Sequence, residues 1–251
     1  MQVVVDSLLT TYHRLGADKA PTIVILHGWA DSSAGWFGFA RQLATDYQVL
    51  VLDLPGFGKT DMPRQTWGLD EYAAFVASFL RKIDCQPDVI IGHSNGGAIA
   101  IRGLAAGSLQ PAKLVLLASA GVRTTQQGRK RMLRIIAKTG KVLSLPLPAA
   151  ARAKLRRRLY ASAGSDLLVA EHMQETFKRV VGEDIQADAA QLSLPVLLVY
   201  GQDDTATPPT YGRLLHQQID GSTLEIVARA GHFLHHDQPA EVGRLIKEFL
   251  A

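Results

Sequence analysis

Short apolar runs alternate with longer amphipathic segments along most of this chain. Each run is almost continuously hydrophobic, which is typical of parallel strands that are covered on both faces. The strands predicted from these runs are 22–26, 48–52, 89–91, 113–117 and 196–200. The longer segments space their apolar residues by three and four, as Tyr72, Phe75 and Phe79 illustrate, and this spacing predicts helices. The helices predicted in this way are 36–47, 70–83, 95–106, 208–219 and 239–250.

The alternation of strands and helices predicts an α/β fold with a mostly parallel sheet and helices on both faces. The first fifteen residues indicate an antiparallel hairpin at one edge, and residues 222–227 indicate a last strand. Between residues 121 and 190 the alternation stops, and the composition there is helical without a clear strand. We therefore predict a core domain formed by 1–120 and 191–251, with 121–190 inserted as a helical cap.

The composition is that of a packed globular protein. Of the 251 residues, 47% are hydrophobic and 20% are charged, which excludes a disordered chain. The single cysteine, Cys85, excludes both an internal disulfide and a cysteine-based zinc site. No apolar stretch reaches the roughly 18 residues that a membrane-spanning helix needs. The first residues lack a basic start followed by an apolar core, so no secretory signal is expected and a cytoplasmic location is predicted.

Residues 92–96 carry the strongest signal for chemistry. They read Gly-His-Ser-Asn-Gly, follow a predicted strand and precede a predicted helix rich in small residues. This is the context of a nucleophile elbow, a tight turn that exposes a serine above the carboxyl edge of a parallel sheet. The two glycines have no side chain, so neighbouring backbone segments can approach the turn closely. The helix that follows directs its amino-terminal amides at the site. Ser94 is therefore the predicted nucleophile, and His93 is expected to point into the structure as an orienting residue.

A serine nucleophile needs a histidine as general base and a carboxylate that orients the histidine. His232 follows the predicted last strand, and Asp203 and Asp204 follow the strand at 196–200. The chain order of serine, aspartate and histidine is the one expected for a nucleophile elbow. We predict Asp204 as the partner of His232, with Asp203 as a solvated or turn-capping residue. A zinc site formed by His232 with the neighbouring histidines is the disfavoured alternative, because only Asp237 supplies a nearby acidic ligand.

An acyl-transfer site also needs two backbone donors for the oxyanion. The amide of Asn95, directly after the nucleophile, is one candidate, and the amide of Trp29, after the first parallel strand, is the other. The side chains of Trp29, Trp36 and Phe233 are predicted to line the substrate pocket. For the two tryptophans, simple packing in the core is the competing interpretation.

Taken together, these motifs resemble the α/β-hydrolase fold superfamily along nearly the whole chain. The motifs are HGW at 27–29, DLPGFGKTD at 53–61, GHSNGG at 92–97, GQDD at 201–204 and AGHFLHHDQP at 230–239. The resemblance implies an eight-stranded sheet, a helical cap after strand six, and Ser-His-Asp acyl chemistry without a cofactor or metal. Members with an aspartate nucleophile are disfavoured because Ser94 stands at that position.

Within the superfamily, the chain looks most similar to cap-bearing esterases and to meta-cleavage-product hydrolases, which cleave carbon–carbon bonds. No residue can be tied to the dienoate substrates of the latter, so we predict a carboxylic ester hydrolase acting on a small-molecule acyl substrate. Carbon–carbon hydrolysis and cofactor-free perhydrolysis remain alternatives, since they use the same residues. A ligand receptor on this fold is a further alternative, disfavoured because every polar group needed for catalysis can be assigned.

The net charge of +4 is concentrated in the predicted cap. Residues 121–190 contain 14 Lys and Arg against 6 Asp and Glu, whereas the rest of the chain contains 13 against 17. The basic residues form two clusters, 129–141 and 152–158, interleaved with Leu, Ile and Met. A solvated outer face is the simplest interpretation, and attraction of an anionic substrate or a negatively charged membrane surface is the sharper one. Nucleic acid is not predicted as a partner, because aromatic residues are sparse beside the clusters.

The two interpretations of the basic clusters predict different salt dependence. If the clusters attract an anionic substrate, kcat/KM for that substrate falls steeply between about 50 and 300 mM salt, because exposed charges are screened beyond about 10 Å. Hydrolysis of a neutral ester of the same size, measured in parallel, serves as the control and stays constant. Equal salt dependence for the two esters would contradict attraction of an anionic substrate and would support a solvated outer face.

Overall fold

The computed structural model describes residues 1–123 and 173–251, in which the strands form a single eight-stranded sheet. The strands are β1 (Gln2–Val5), β2 (Leu8–Leu15), β3 (Thr22–Leu26), β4 (Gln48–Leu52), β5 (Val89–His93), β6 (Lys113–Leu117), β7 (Val196–Gly201) and β8 (Thr223–Val227). The helices of the same ranges are α1 (Ser33–Leu43), α2 (Leu69–Lys82), α3 (Asn95–Ala105), α4 (Gln174–Gly182), α5 (Gln186–Ala189), α6 (Pro209–Gln218), α7 (Leu234–Asp237) and α8 (Pro239–Leu250). The predicted α/β fold with an eight-stranded, mostly parallel sheet is confirmed.

The strand order is β1-β2-β4-β3-β5-β6-β7-β8. Strand β2 runs antiparallel to both of its neighbours, β1 and β4, and all other pairings are parallel. The predicted amino-terminal hairpin is thus confirmed at one edge of the sheet. Because β3 lies between β4 and β5, the loop after β3 and the turn after β5 leave the sheet side by side at its carboxyl edge.

Alternate residues of each central strand enter two separate hydrophobic layers. In β3, Val24 and Leu26 pack into the layer formed with α2, α3 and α6. Ile23 and Ile25 point to the opposite face and pack with α1 and α8. All four side chains are fully buried. This two-sided burial is the reason that the parallel strands are apolar at almost every position.

Helix α1 differs most from its prediction, since it begins at Ser33 and ends at Leu43 where the periodicity predicts 36–47. The Asp53 carboxylate, which lies beyond β4, accepts a hydrogen bond of 2.6 Å from the Ser33 amide. This bond satisfies one of the amides that the first turn of a helix leaves without an intrahelical partner. A carboxylate twenty residues away therefore stabilises the start of the helix at Ser33. The spacing of apolar residues cannot predict such a contact.

The part of the predicted cap that the structure describes, α4 and α5, is fixed to the core by polar contacts. The Trp67 amide donates to the Thr176 hydroxyl at 3.1 Å, and the Leu69 amide donates to the Glu183 carboxylate at 3.0 Å. Arg102 on α3 also pairs with Glu183. The returning end of the insert is therefore held against the segment that leads into α2.

The basic clusters at 129–141 and 152–158 lie outside the described residues, and the boundaries of the cap at 121 and 190 stay a prediction. In the parts of the chain that the structure describes, no helix combines the length and the apolar character needed to cross a bilayer.

Candidate active site

Ser94 stands at a sharp turn between β5 and α3. Its φ of 50° and ψ of −115° lie outside the regions that non-glycine residues ordinarily adopt, so the backbone is strained there. A Cβ atom at Gly92 would lie 2.6 Å from the Gly97 Cα, and one at Gly96 would collide with the Leu26 carbonyl oxygen. Only glycine fits at these two positions, which is the steric requirement of the turn predicted from the sequence.

His232 connects Ser94 to a buried carboxylate. Its Nε2 atom lies 3.0 Å from the Ser94 Oγ, and its Nδ1 atom lies 2.8 Å from the Asp204 Oδ2. Because an ionised carboxylate only accepts hydrogen bonds, Nδ1 carries the proton and donates it to Asp204. The free Nε2 lone pair then faces the Ser94 hydroxyl, which is the arrangement a general base requires.

The Asp204 side chain has no solvent-exposed surface, although it carries the charge of the site. Burial alone would raise its pKa, but the hydrogen bonds from His232 and Thr207 outweigh that effect, and the pKa lies below its ordinary value. The amides of Ala206 and Thr207 also donate to Oδ1, at 2.7 and 3.0 Å. Asp203, the other candidate, is exposed to solvent and makes no side-chain contact with His232 among the described residues.

Thr207 is a residue of the site that the sequence reasoning missed. Its hydroxyl lies 2.7 Å from the Asp204 Oδ2, 3.0 Å from the His232 Nδ1 and 2.9 Å from the Ala118 carbonyl oxygen. It therefore contacts both Asp204 and His232 and anchors them to the end of β6. The only sequence signal is a hydroxyl residue three positions after an aspartate, a spacing that is common in ordinary turns.

His93 is hydrogen-bonded to the loop that carries His232. Its Nε2 atom donates a hydrogen bond of 2.9 Å to the His232 carbonyl oxygen. Burial, together with the nearby His232 ring, lowers the pKa of His93 to about 3, so the ring is neutral at physiological pH. The histidine that precedes the nucleophile thus points into the structure, as its place in the motif indicated.

The loop after β3 lies directly against the nucleophile. A Cβ atom at Gly28 would lie 3.2 Å from the Ser94 Cβ, so the loop that carries the Trp29 amide approaches Ser94 closely at Gly28. His27 supports this loop from below, because its ring donates to the Gly28 carbonyl at 2.7 Å and accepts from the Leu54 amide at 2.9 Å. Among the hydrogen bonds of the described residues, none is donated by the backbone amide of Trp29 or Asn95. Both amides therefore stay candidates for binding an oxyanion.

Two of the three predicted pocket residues lie near the site. The Trp29 ring packs edge-on against Phe57 at 4.8 Å between ring centroids and lies 5.1 Å from the Phe177 ring, so it contacts α4 of the predicted cap. Phe233 is 44% exposed, and its ring centroid is 5.4 Å from that of His232. Phe57 and Phe177 were not singled out from the sequence.

The prediction that Trp36 lines the pocket is wrong. Trp36 is fully buried and lies on the face of α1 that packs against the sheet. Its ring stacks on His235 with 3.9 Å between centroids, and its Nε1 donates to Asp31 at 3.0 Å. The helical period places Trp36 toward the core, so the competing interpretation as a packing residue was the right one for this side chain.

The three histidines of the 232–236 segment point to different surroundings. His232 faces Ser94, His235 is buried under Trp36, and His236 is exposed. In the ranges 1–123 and 173–251, no group of three or more potential ligands is arranged to hold a metal ion. Burial, with smaller contributions from His93 and His236, lowers the pKa of His235 to about 2, and neither of its ring nitrogens has a hydrogen-bond partner among the described residues.

A family model described as the alpha/beta hydrolase family matches residues 23–245. An uncharacterised protein of Mycobacterium tuberculosis is 27% identical and aligns over 93% of this chain and 76% of its own length. The pimeloyl-acyl-carrier-protein methyl ester esterase of Aeromonas salmonicida is 24% identical over 92% of this chain and 96% of its own. A 2-hydroxy-6-oxononadienedioate/2-hydroxy-6-oxononatrienedioate hydrolase of Cupriavidus pinatubonensis is 26% identical over 92% of this chain and 87% of its own.

Solved structures show the same architecture. The crystal structure of a bacterial membrane phospholipase A superimposes with a TM-score of 0.79 at 25% identity, covering 100% of this chain and 84% of the phospholipase. A meta-cleavage product hydrolase from Pseudomonas fluorescens IP01 superimposes with a TM-score of 0.72 at 21% identity, covering 100% of this chain and 97% of that protein. At this identity, the second likeness concerns the fold alone.

Removing the Thr207 hydroxyl tests its contacts with Asp204 and His232. We expect Thr207→Val to keep the shape of the side chain but to lower kcat by about threefold to tenfold, the effect of one lost hydrogen bond to a charged group. The measurement is steady-state kinetics on an ester. Thr60→Val is the matched control, because the Thr60 hydroxyl is buried and accepts from the Thr11 amide far from the site. Equal kcat losses in the two variants would contradict a role of Thr207 in the site.

The buried histidines predict a loss of stability in acid. Burial lowers the pKa of His27, His93 and His235, so the folded state holds them neutral while the unfolded chain protonates them near pH 6.5. Their contribution to stability is complete above about pH 6.5 and declines as the pH falls toward 3. The lowered pKa of Asp204 adds a loss only below about pH 4.

We expect His235→Phe to reduce this acid sensitivity by up to about 1.4 kcal/mol per pH unit, since it removes one group that binds a proton only on unfolding. Urea unfolding at pH 7, 6, 5 and 4 measures the effect. The control is His236→Phe, because His236 is exposed in the folded state. Parallel stability curves for wild type and His235→Phe would contradict the prediction.

Proposed function

The chain belongs to the alpha/beta hydrolase family, and from its site we propose that it is a serine hydrolase acting through a covalent acyl-enzyme. The preferred substrates in this proposal are carboxylic esters with small to medium acyl groups. One observation carries the proposal: the His232 ring lies 3.0 Å from the Ser94 hydroxyl and 2.8 Å from the Asp204 carboxylate. These are the distances of a nucleophile, its general base and the group that orients the base.

In the proposed mechanism, the Ser94 oxygen attacks the acyl carbon while its proton moves to the His232 Nε2. Asp204 accepts the Nδ1 proton in a hydrogen bond and stabilises the imidazolium without itself becoming protonated. The bond to the alcohol then breaks, and His232 returns the proton to the departing alkoxide. A water molecule that is deprotonated by His232 next attacks the acyl-enzyme, which releases the acid and restores the Ser94 hydroxyl.

Negative charge on the acyl oxygen would be stabilised by the backbone amides of Trp29 and Asn95. The adjacency of Gly28 to Ser94 supports this assignment for the first amide, and the position of Asn95 at the start of α3 supports it for the second. The amide of Asn95 belongs to the first turn of α3, which has no intrahelical acceptor for it, so it is available as charge develops. No cofactor is required in this scheme.

Two relatives support different chemistries with the same residues. A methyl ester esterase at 24% identity supports ester hydrolysis, which we prefer as the broader activity. A hydrolase of 2-hydroxy-6-oxo dienoate compounds at 26% identity favours carbon–carbon bond cleavage as the second candidate. Perhydrolysis, and a receptor that uses the site without rapid turnover, are separated from both by the measurements below.

We further propose that the partner of the basic insert is an anionic substrate or a negatively charged membrane surface. The charge excess of 121–190 and the likeness to a membrane phospholipase A at 25% identity support this assignment. The salt dependence described above tests it.

Replacing the nucleophile tests the proposed mechanism. We expect Ser94→Ala to lower kcat/KM for p-nitrophenyl acetate by about a thousandfold or more, because the acyl-enzyme can no longer form. The wild type should show a burst of p-nitrophenol and should bind a fluorophosphonate at Ser94. Because alanine removes only the hydroxyl oxygen, the variant should keep the wild-type unfolding temperature.

Full ester hydrolysis by a folded Ser94→Ala protein would overturn the mechanism. Wild-type protein that is labelled at Ser94 but turns over less than once per hour would favour the receptor instead. A panel of esters, lactones and dienoates, with and without peroxide, then identifies which bond the enzyme cleaves.

A further inference from the structure

The Asn95 side chain is a buried amide without a partner. The residue is only 4% exposed, and its Nδ2 makes no hydrogen bond with any described residue. Buried polar groups are nearly always paired, because burial removes the hydrogen bonds that water would supply. Burial of the Asn95 amide therefore costs free energy, and no hydrogen bond from a described residue offsets that cost.

Asn95 is the first residue of α3 and directly follows Ser94, so its side chain begins beside the nucleophile. Side chains in a helix tilt toward its amino terminus, which here is the carboxyl edge of the sheet at Ser94. Ala98, one turn further along the same face, lies 3.3 Å from the Cβ position of Gly121, and Ile185 lies 2.6 Å from that position. The helix face that carries Asn95 and Ala98 thus packs near Gly121 and Ile185, which lie near the two ends of the predicted insert.

We propose that the Asn95 carboxamide is a specificity-determining hydrogen-bond donor that recognises an acceptor on the acyl chain of the substrate. The inference rests on the proposed function, in which the backbone amide of the same residue binds the oxyanion. The substrate class is then acyl groups with an oxo or hydroxyl oxygen close to the carbonyl that Ser94 attacks. The acceptor replaces the missing partner, and a plain alkanoyl chain leaves the amide unpaired.

The length of the Asn95 side chain limits how far the acceptor oxygen of the substrate can lie from the acyl carbon that Ser94 attacks. Asparagine has only two bonds between its Cα and the amide carbon, so Nδ2 stays within about 4 Å of the Cα. Since the amide of Asn95 directly follows the nucleophile, its side chain reaches only the first two or three carbons beyond the acyl carbon. An apolar side chain at this place would accept any alkanoyl chain, whereas an unpaired amide disfavours one.

The test compares two methyl esters of equal length, methyl 3-oxobutanoate and methyl butanoate, in a pH-stat assay. The readout is the ratio of their kcat/KM values, normalised to the wild-type ratio, which cancels the different intrinsic reactivity of the esters. We expect Asn95→Ala to lower this ratio about tenfold, since the donor is lost for one substrate only. Asn95→Ser, which keeps a small donor, should retain most of the preference.

Two controls separate recognition from stability. Gln202→Ala removes an exposed amide at the same edge of the sheet, directly after β7, and should leave the ratio unchanged. Thermal unfolding of Asn95→Ala should occur at or above the wild-type temperature, because the variant loses an unpaired buried group. A purely structural amide would lower the unfolding temperature and leave the ratio constant.

An Asn95→Ala ratio within twofold of wild type overturns the inference while leaving the proposed hydrolase intact, provided that the wild type hydrolyses either ester. If the wild type hydrolyses neither ester and Ser94 is not labelled by a fluorophosphonate, the proposed function fails and the inference fails with it.

Discussion

The Asp204 carboxylate remains ionised without contact with solvent, and the geometry of the whole site follows from that charge. Removing a carboxylate from water is costly unless hydrogen bonds replace the hydration shell. Here two backbone amides, the Thr207 hydroxyl and the His232 ring supply the replacement. Because the carboxylate accepts the Nδ1 proton, the other nitrogen of the ring is left as a base. The same charge thus determines both the tautomer and the orientation of His232.

Around this charge, the structure keeps other histidines neutral. His27 and His93 are buried beside the site, and burial lowers the pKa of each. Each donates one ring proton to a backbone carbonyl, of Gly28 and His232 respectively. They hold the two loops that flank Ser94 without adding positive charge that would compete with His232 for Asp204. A neutral histidine is suited to this role because one nitrogen donates while the other accepts or stays unprotonated.

Local patterns were sufficient for the fold and for Ser94, Asp204 and His232, which meet at its edge. The runs at 22–26, 48–52 and 113–117 coincide with strands residue for residue, since strands buried on both faces leave an unmistakable apolar signature. The turn at Ser94 could be predicted because its steric demands exclude all residues but glycine at two positions, Gly92 and Gly96. Thr207 was missed and Trp36 was misassigned, since each depends on which neighbour from another segment occupies the space beside it.

The sequence by itself determined the order of the elements, the strained turn and the side chains available for acyl chemistry, because each follows from residues close together along the chain. Only the tertiary structure decided which of two adjacent aspartates is buried against His232, which aromatic ring is left facing the site, and which polar groups lack partners. Those outcomes are set by burial and by the distances between segments more than a hundred residues apart, such as Ser94 and His232. Periodicity and spacing along the sequence do not encode distances between distant segments. The packed sheet sets those distances, because it fixes the positions of the strands from which the loops extend.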